Sequence, residues 1–276
     1  MRNIILLSFL LLATGLFGQN TLSSQPFSIG ETFELDSKVL GEKRTLNVYL
    51  PAGYSAGDTT RYAVIYLLDG SADEDFIHIA GLVQFCNFPW VNILPPSIVV
   101  GIANIDRKHD LTFPTSIEAD KKQFPTTGGA ANFMEFIEVE VQPFVEQHYR
   151  TNSSRSLIGQ SLGGLFATEV LLKKPALFSN YFVVSPSLWW DGESLLKNNL
   201  SNLTGKKLTI HISVGNEGKV MKRDAKRLYK KLKALKNSQL TLGYNYLGKE
   251  DHASILHLAM YEAFKWFQSV SSNPKS

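Results

Sequence analysis

The amino-acid sequence predicts an α/β fold with a mostly parallel sheet covered on both faces. Three observations carry this. Apolar runs of strand length alternate with amphipathic stretches of helix length from residue 62 onward. Several of those runs, such as "YAVIYLLDG" and "SIVVGIAN", lack the polar alternation of a half-exposed strand and read as strands buried on both faces. Strand–helix–strand units of this length close into a parallel sheet by right-handed crossovers.

Two extended segments come first. "TFELDSKVL" and "RTLNVYLP", joined by the polar turn "GEK", predict an antiparallel edge. "RYAVIYLLDG" is the first buried strand, followed by a helix over 73–86 and the strand "SIVVGIAN". A polar loop from Ile105 to Gly129 leads to a helix from Ala130 to Tyr149. "RSLIGQ" (strand), "SLGGLFATEVLLKK" (helix) and "NYFVVSPS" (strand) come next, then a loop-helix region holding Trp189 and Trp190. "KLTIHISVG" (strand) enters a helix over 218–236, "QLTLGYNYL" is the last strand, and a final helix runs from Ala253 to Phe267. No repeat or inter-domain linker interrupts this order, so residues 19–276 are expected to form one domain.

The first residues, "MRNIILLSFLLLATGLFGQN", place Arg2 before an apolar run and small residues after it. That is the layout of a secretory signal peptide over 1–18, with a mature chain from about Gln19 in the periplasm or outside the cell. The run is shorter than the roughly 20 residues a membrane span needs, so no stable span is expected after its removal. Cys86 is the only cysteine, which rules out an intrachain disulfide, and its apolar neighbours make it a core residue. The net charge of +3 is too small to point to nucleic acid. The helix "KVMKRDAKRLYKKLKALK" carries nine cations, yet Met221, Ala225, Leu228, Leu232 and Leu235 recur at helical spacing. Its cations therefore occupy a solvated face.

Serine attack on a carbonyl needs an exposed hydroxyl, a base and donors for the oxyanion. Gly-x-Ser-x-Gly supplies this at a tight strand-to-helix turn, and the chain holds two matches. "GYSAG" (Gly53–Gly57) lies between two strands and has no helix behind it; Ser55 reads as turn chemistry. "GQSLG" (Gly159–Gly163) follows a buried strand and opens into a helix, so Ser161 is the expected nucleophile. Among six histidines, His252 sits in the loop after the last strand, the place of the base in the order nucleophile, acid, histidine. The acid belongs at a strand end between them. Glu217 after "HISVG" fits best; Asp191, Asp224 or a dyad without an acid remain alternatives. Glu250 and Asp251 adjoin His252, but neighbouring side chains on an extended segment point apart, and both are expected to cap the final helix.

With these residues in place, the chain resembles the bacterial "putative esterase" family of α/β hydrolases. That family includes siderophore, feruloyl and acetyl-xylan esterases and the mycolyltransferases. The resemblance spans nearly the whole mature chain and rests on "VYLPAGY", "YAVIYLLDG", "VGIANIDRKHDLTFP", "LIGQSLGGLFA", "SPSLWW", "VGNEG" and "DHAS". "SPSLWWD" and "DRKHDLTFP" point to the siderophore-esterase-like branch. The resemblance implies a serine carboxylesterase of the α/β-hydrolase fold, without cofactor or metal, acting on a small-molecule or saccharide-linked ester. It implies an oxyanion hole from the backbone N–H groups of Ser71 and Leu162, and supports Glu217 as acid. It also puts Trp189, Trp190 and Arg107 on the substrate side. Apart from Arg107 and Lys108, no cluster of cations accompanies the motifs. Acyl transfer of the mycolyltransferase type and a non-catalytic binding protein on the same scaffold are the alternatives.

Overall fold

The computed structural model describes residues 23–272. The expected signal peptide lies outside the described residues. Eight strands form one sheet: β1 (Glu31–Asp36), β2 (Lys43–Tyr49), β3 (Tyr62–Leu67), β4 (Ser97–Ile102), β5 (Thr151–Gln160), β6 (Asn180–Val184), β7 (Leu208–Gly215) and β8 (Leu240–Leu247). Their spatial order is β1-β2-β4-β3-β5-β6-β7-β8. β2 is antiparallel to β1 and β4, while every pair from β4 to β8 is parallel. This is the α/β-hydrolase sheet with an antiparallel edge.

The helices are α1 (Phe76–Asn87), α2 (Arg107–Asp110), α3 (Glu118–Gln123), α4 (Ala130–Phe136), α5 (Gln142–His148), α6 (Leu162–Lys173), the irregular turn α7 (Trp190–Glu193), α8 (Gly218–Ala234) and α9 (Ile255–Ser272). Alternate residues of the central strands feed two cores. Val64, Tyr66, Val100, Leu157 and Ile212 pack against Phe133, Phe136, Phe166, Val170 and Leu228 of α4, α6 and α8. Ile65, Leu67, Val99, Ile158 and Phe182 pack on the other face against Ile79, Val83, Met260 and Phe264 of α1 and α9. The period-two placement of side chains on a strand makes both faces apolar, which is why these runs lack polar alternation.

Three expectations are corrected. The helix expected over 130–149 is broken by a π turn at Ile137–Val141. Pro143 has no N–H and its ring crowds the carbonyl four residues back, and the wider turn just before it accommodates this. The 105–129 loop carries α2 and α3. Leu235 falls after the last residue of α8 and is 37% exposed, whereas Ala225, Leu228 and Leu232 are buried as the spacing predicts. Cys86 is fully buried, and desolvation pushes its thiol up to about 11. Among the described residues no helix is long and apolar enough to cross a membrane.

One feature left no trace in the periodicity. Arg44 of β2 is buried and binds Asp110 at 2.6 Å and Glu42 at 2.5 Å, with its guanidinium near the rings of Phe133 and Phe136. Removing one partner of a buried pair leaves an uncompensated charge. The pair thus locks α2, and the start of the 105–129 loop, to the sheet.

Candidate active site

Ser161 occupies the turn between β5 and α6 with φ 59° and ψ −117°, a conformation that non-glycine residues rarely adopt. The turn is overdetermined. Ser161 N donates to Val184 O at 3.0 Å, and Ser161 O accepts from Leu165 N at 2.9 Å and Ser187 N at 3.0 Å. A side chain at Gly159 would meet Gly163 O at 2.3 Å, and one at Gly164 would meet Val184 O at 2.9 Å. The glycines are there because the strand and helix backbones touch. "GYSAG", by contrast, lies exposed in the β2–β3 connection.

Glu217 follows β7 and is almost fully buried, with 2% of its side chain exposed. One oxygen, Oε1, accepts from Gly215 N at 2.8 Å and from Ser185 Oγ. The other, Oε2, lies 2.5 Å from His252 Nδ1. Burial alone would raise the carboxyl pKa; the hydrogen bonds from His252, Ser185 and Gly215 outweigh it and hold the group below the usual range. Nε2 of His252 is left unengaged among the described residues. Ser161 Oγ makes its contact with Ser187 Oγ, at 3.4 Å.

The sequence alternatives for the acid are occupied elsewhere. Asp191 accepts from Ser116 N at 2.7 Å and from the hydroxyls of Ser116 and Thr115; despite burial these bonds bring its carboxyl down to about 2. Asp224 is buried against Arg223 and Arg227. Asp251 Oδ1 accepts from Ala253 N and Ser254 N, capping α9. Glu250 contributes its carbonyl, which accepts from Asn216 N at 2.7 Å.

Ser161, His252 and Glu217 open onto one cavity of about 570 Å³, also lined by Ser187, Trp189, Met221, Asp251 and Ala253. A cleft of about 660 Å³ between α5 and the end of α6 has no such grouping. Of its cations, Arg155, Lys173 and Lys174 are paired with Glu146, Glu169 and Glu138, and Lys206 also lines it.

Among the described residues, neither the Ser71 nor the Leu162 amide donates to an acceptor. Leu162 is the first residue of α6, where helix N–H groups are free by geometry. Ser71 ends the turn after β3, which is fixed residue by residue. Asp69 takes φ 55°, Gly70 N donates to Ile102 O at 3.0 Å, and Gly70 O accepts from buried Asn47 at 2.8 Å.

Two of the expected substrate-side residues are corrected. Trp190 is fully buried and spends its indole N–H on Phe113 O at 2.9 Å, so it is core; of the two tryptophans, Trp189 lines the cavity. Arg107 is not a free cation: Nε and Nη2 bind both oxygens of Asp69 at 2.5 and 2.9 Å. Residue-by-residue reading missed Ser185, Ser187, Gln160, Asp69 and Met221 as members of the site. The first four stand inside or beside quoted motifs, but their roles depend on contacts across loops.

The remaining histidines stand apart. His211 is buried in β7, where desolvation lowers its pKa to about 4. His78 and His257 share a hydrogen bond of 2.8 Å between α1 and α9. His109 contacts Asp110, and His148 Nδ1 lies 2.7 Å from Phe144 O.

The family model described as "Putative esterase" matches residues 37–265. The ferri-bacillibactin esterase BesA of Bacillus subtilis is 27% identical over 266 residues, covering 88% of this chain and 92% of that protein. An IroE-like serine hydrolase from Shewanella oneidensis superposes with a TM-score of 0.77 at 30% identity, covering 87% of this chain and 80% of that one. The BES protein from Bacillus cereus gives 0.77 at 29%, covering 88% and 97%.

Proposed function

The chain belongs to the "Putative esterase" family and is a carboxylic ester hydrolase, and from this premise we propose that it is an exported serine esterase using Ser161, His252 and Glu217. The observation that carries the reading is the 2.5 Å contact of buried Glu217 with His252 Nδ1, on the cavity that Ser161 also lines. A buried carboxylate on Nδ1 fixes the tautomer that leaves Nε2 as a proton acceptor.

In the reaction, rotation about the Ser161 Cα–Cβ bond turns Oγ from Ser187 towards His252; rotamer exchange of a small side chain is fast. Nε2 takes the hydroxyl proton as Oγ bonds to the ester carbonyl carbon. The carbonyl π electrons move onto oxygen, where the Ser71 and Leu162 amides and the α6 N-terminus receive the charge. Collapse breaks the bond to the alkoxy group, which leaves with the proton from Nε2. Water then gives a proton to Nε2 and attacks the acyl-enzyme, and Ser161 regains its proton as the acid departs.

Trp189 and Met221 supply an apolar wall. Among the described residues, Glu217 and Asp251 are the only ionisable groups lining the cavity besides His252, and no lysine or arginine does so. This favours a small neutral ester over a polyanionic one, although BesA is named for a ferric siderophore. Export rests on the layout of residues 1–18.

Ser161→Ala should abolish hydrolysis of p-nitrophenyl butyrate and labelling by a fluorophosphonate while circular dichroism stays unchanged. Turnover retained by Ser161→Ala contradicts the reading. A panel of short-acyl, feruloyl, acetyl-sugar and trilactone esters then ranks the substrates.

A further inference from the structure

Arg107 is held in place by its own segment and by the sheet. Asp106 caps α2 by accepting from Lys108 N at 3.1 Å and His109 N at 3.0 Å, and the buried Arg44–Asp110 pair ties the far end of α2 to β2. From this platform the guanidinium spans two loops. Nε and Nη2 grip Asp69, two residues before Ser71. Nη2 also donates to Gln160 O at 3.3 Å, two residues before Leu162. The Gln160 side chain continues the chain of contacts, donating from Nε2 to His252 O at 2.6 Å. Asn104 adds a second donor to Asp69 at 2.7 Å.

We propose that Arg107 and Gln160 are positioning residues: Arg107 sets the separation of the Ser71 and Leu162 amides, and Gln160 docks the His252 loop onto the nucleophile turn. The proposal rests on the serine-esterase reading above. It assigns Arg107 no contact with substrate. Oxyanion donors act only if held at a fixed distance from the developing charge, on loops that do not relax. Leu68 N donates to Ile158 O at 3.1 Å where the β3 and β5 segments part; beyond that bond, among the described residues, the guanidinium is the hydrogen-bonded bridge between Asp69 and Gln160. A planar fork can bind a carboxylate with two N–H groups and still reach a carbonyl, whereas a lysine ammonium cannot hold all three contacts in one orientation. Burial of Asp69 makes its partner obligatory, because an unpaired buried carboxylate relaxes towards water and carries its loop with it.

The test compares Arg107→Ala, Arg107→Lys and Gln160→Ala with the wild-type chain and a Lys108→Ala control. Substrates are neutral p-nitrophenyl butyrate and the anionic hemi-ester of p-nitrophenol with glutaric acid. An arylboronic acid serves as a tetrahedral analogue. A lost oxyanion donor costs 10²- to 10³-fold, so a loosened one should lower kcat by about 10- to 100-fold. We expect that loss equally on both esters for Arg107→Ala and Arg107→Lys, with KM unchanged, parallel weakening of the boronate, and partial rescue of Arg107→Ala by methylguanidinium. Gln160→Ala should also lower kcat at unchanged KM, and Lys108→Ala should match wild type.

An effect confined to KM for the anionic ester makes Arg107 a substrate-binding cation and overturns the proposal. So does an unchanged kcat in Arg107→Lys, which retains charge and stem and serves as the measurement if Arg107→Ala does not fold. Failure of the underlying reading looks different: wild type itself neither hydrolyses the esters nor labels with fluorophosphonate.

Discussion

Replacing Glu217 by Gln separates the role of the carboxylate's charge and acceptor set from its shape. Glu217 has two oxygens and three donors to satisfy. Oε1 faces Gly215 N, a backbone donor that cannot turn away, together with the Ser185 hydroxyl. The single amide oxygen of Gln is therefore committed to that side, and the NH₂ must face His252 Nδ1. Nδ1 is then forced to accept, the ring proton moves to Nε2, and His252 presents a donor to Ser161 where an acceptor is needed. The wrong tautomer in a Ser-His-carboxylate arrangement lowers kcat by about 10⁴, equal to ~5.4 kcal/mol of barrier at 1.36 kcal/mol per decade. Stability should change little, since the amide keeps the volume and relieves a buried charge. The assay is kcat for p-nitrophenyl butyrate at pH 7.5 alongside thermal unfolding, with Asp251→Asn in parallel. Because Asp251 caps α9 by accepting N–H bonds that Asn also accepts, its variant should lose far less than Glu217→Gln. The reverse order, with Asp251→Asn crippling and Glu217→Gln mild, refutes the assignment.

Two further outcomes concern adjacent tryptophans buried to different extents and one displaced titration. Trp190→Ala should destabilise the fold by about 3–5 kcal/mol, read by urea unfolding, while Trp189→Ala, at a half-buried position, should cost less and raise KM for esters with bulky acyl groups. Asp75 is pushed up to about 6 by burial and by Asp69 and Glu74. The folded state therefore keeps a proton that the unfolded chain releases above about 3.8. Its contribution to stability is fully present below that value and is lost as pH rises through about 6. Asp75→Asn should stabilise the fold at pH 8 by about 1 kcal/mol after allowance for its partial exposure, read as a higher Tm, and give no gain at pH 4. A Tm gain independent of pH contradicts this.

Much of the candidate site was legible in one dimension because its residues sit at element boundaries that leave local marks. The strand "RSLIGQ" followed by "SLGG" needs small residues where backbones touch, so the helix that opens behind Ser161 distinguishes it from Ser55. Glu217 and His252 follow β7 and β8, and strand ends are visible where an apolar run stops at Gly or a charge. The same local logic assigned Asp251 to the α9 cap rather than to its neighbour His252.

The division of labour among side chains with identical local signals emerges only on folding. Trp189 and Trp190 are adjacent and chemically equal, and their rings meet edge to face; one lines the cavity, and the other is buried with its indole N–H on Phe113 O. Arg107 reads from sequence as an exposed cation in a polar loop, and becomes a bridge only when folding brings Asp69, 38 residues away, and Gln160, 53 residues away, to either side of it. The succession of strands and helices and the candidate nucleophile, base and acid are legible in the chain alone, since each of these depends on its own turn. Partnerships between loops depend on the sheet's spatial order, in which β3 lies between β4 and β5, and no local pattern records that neighbourhood.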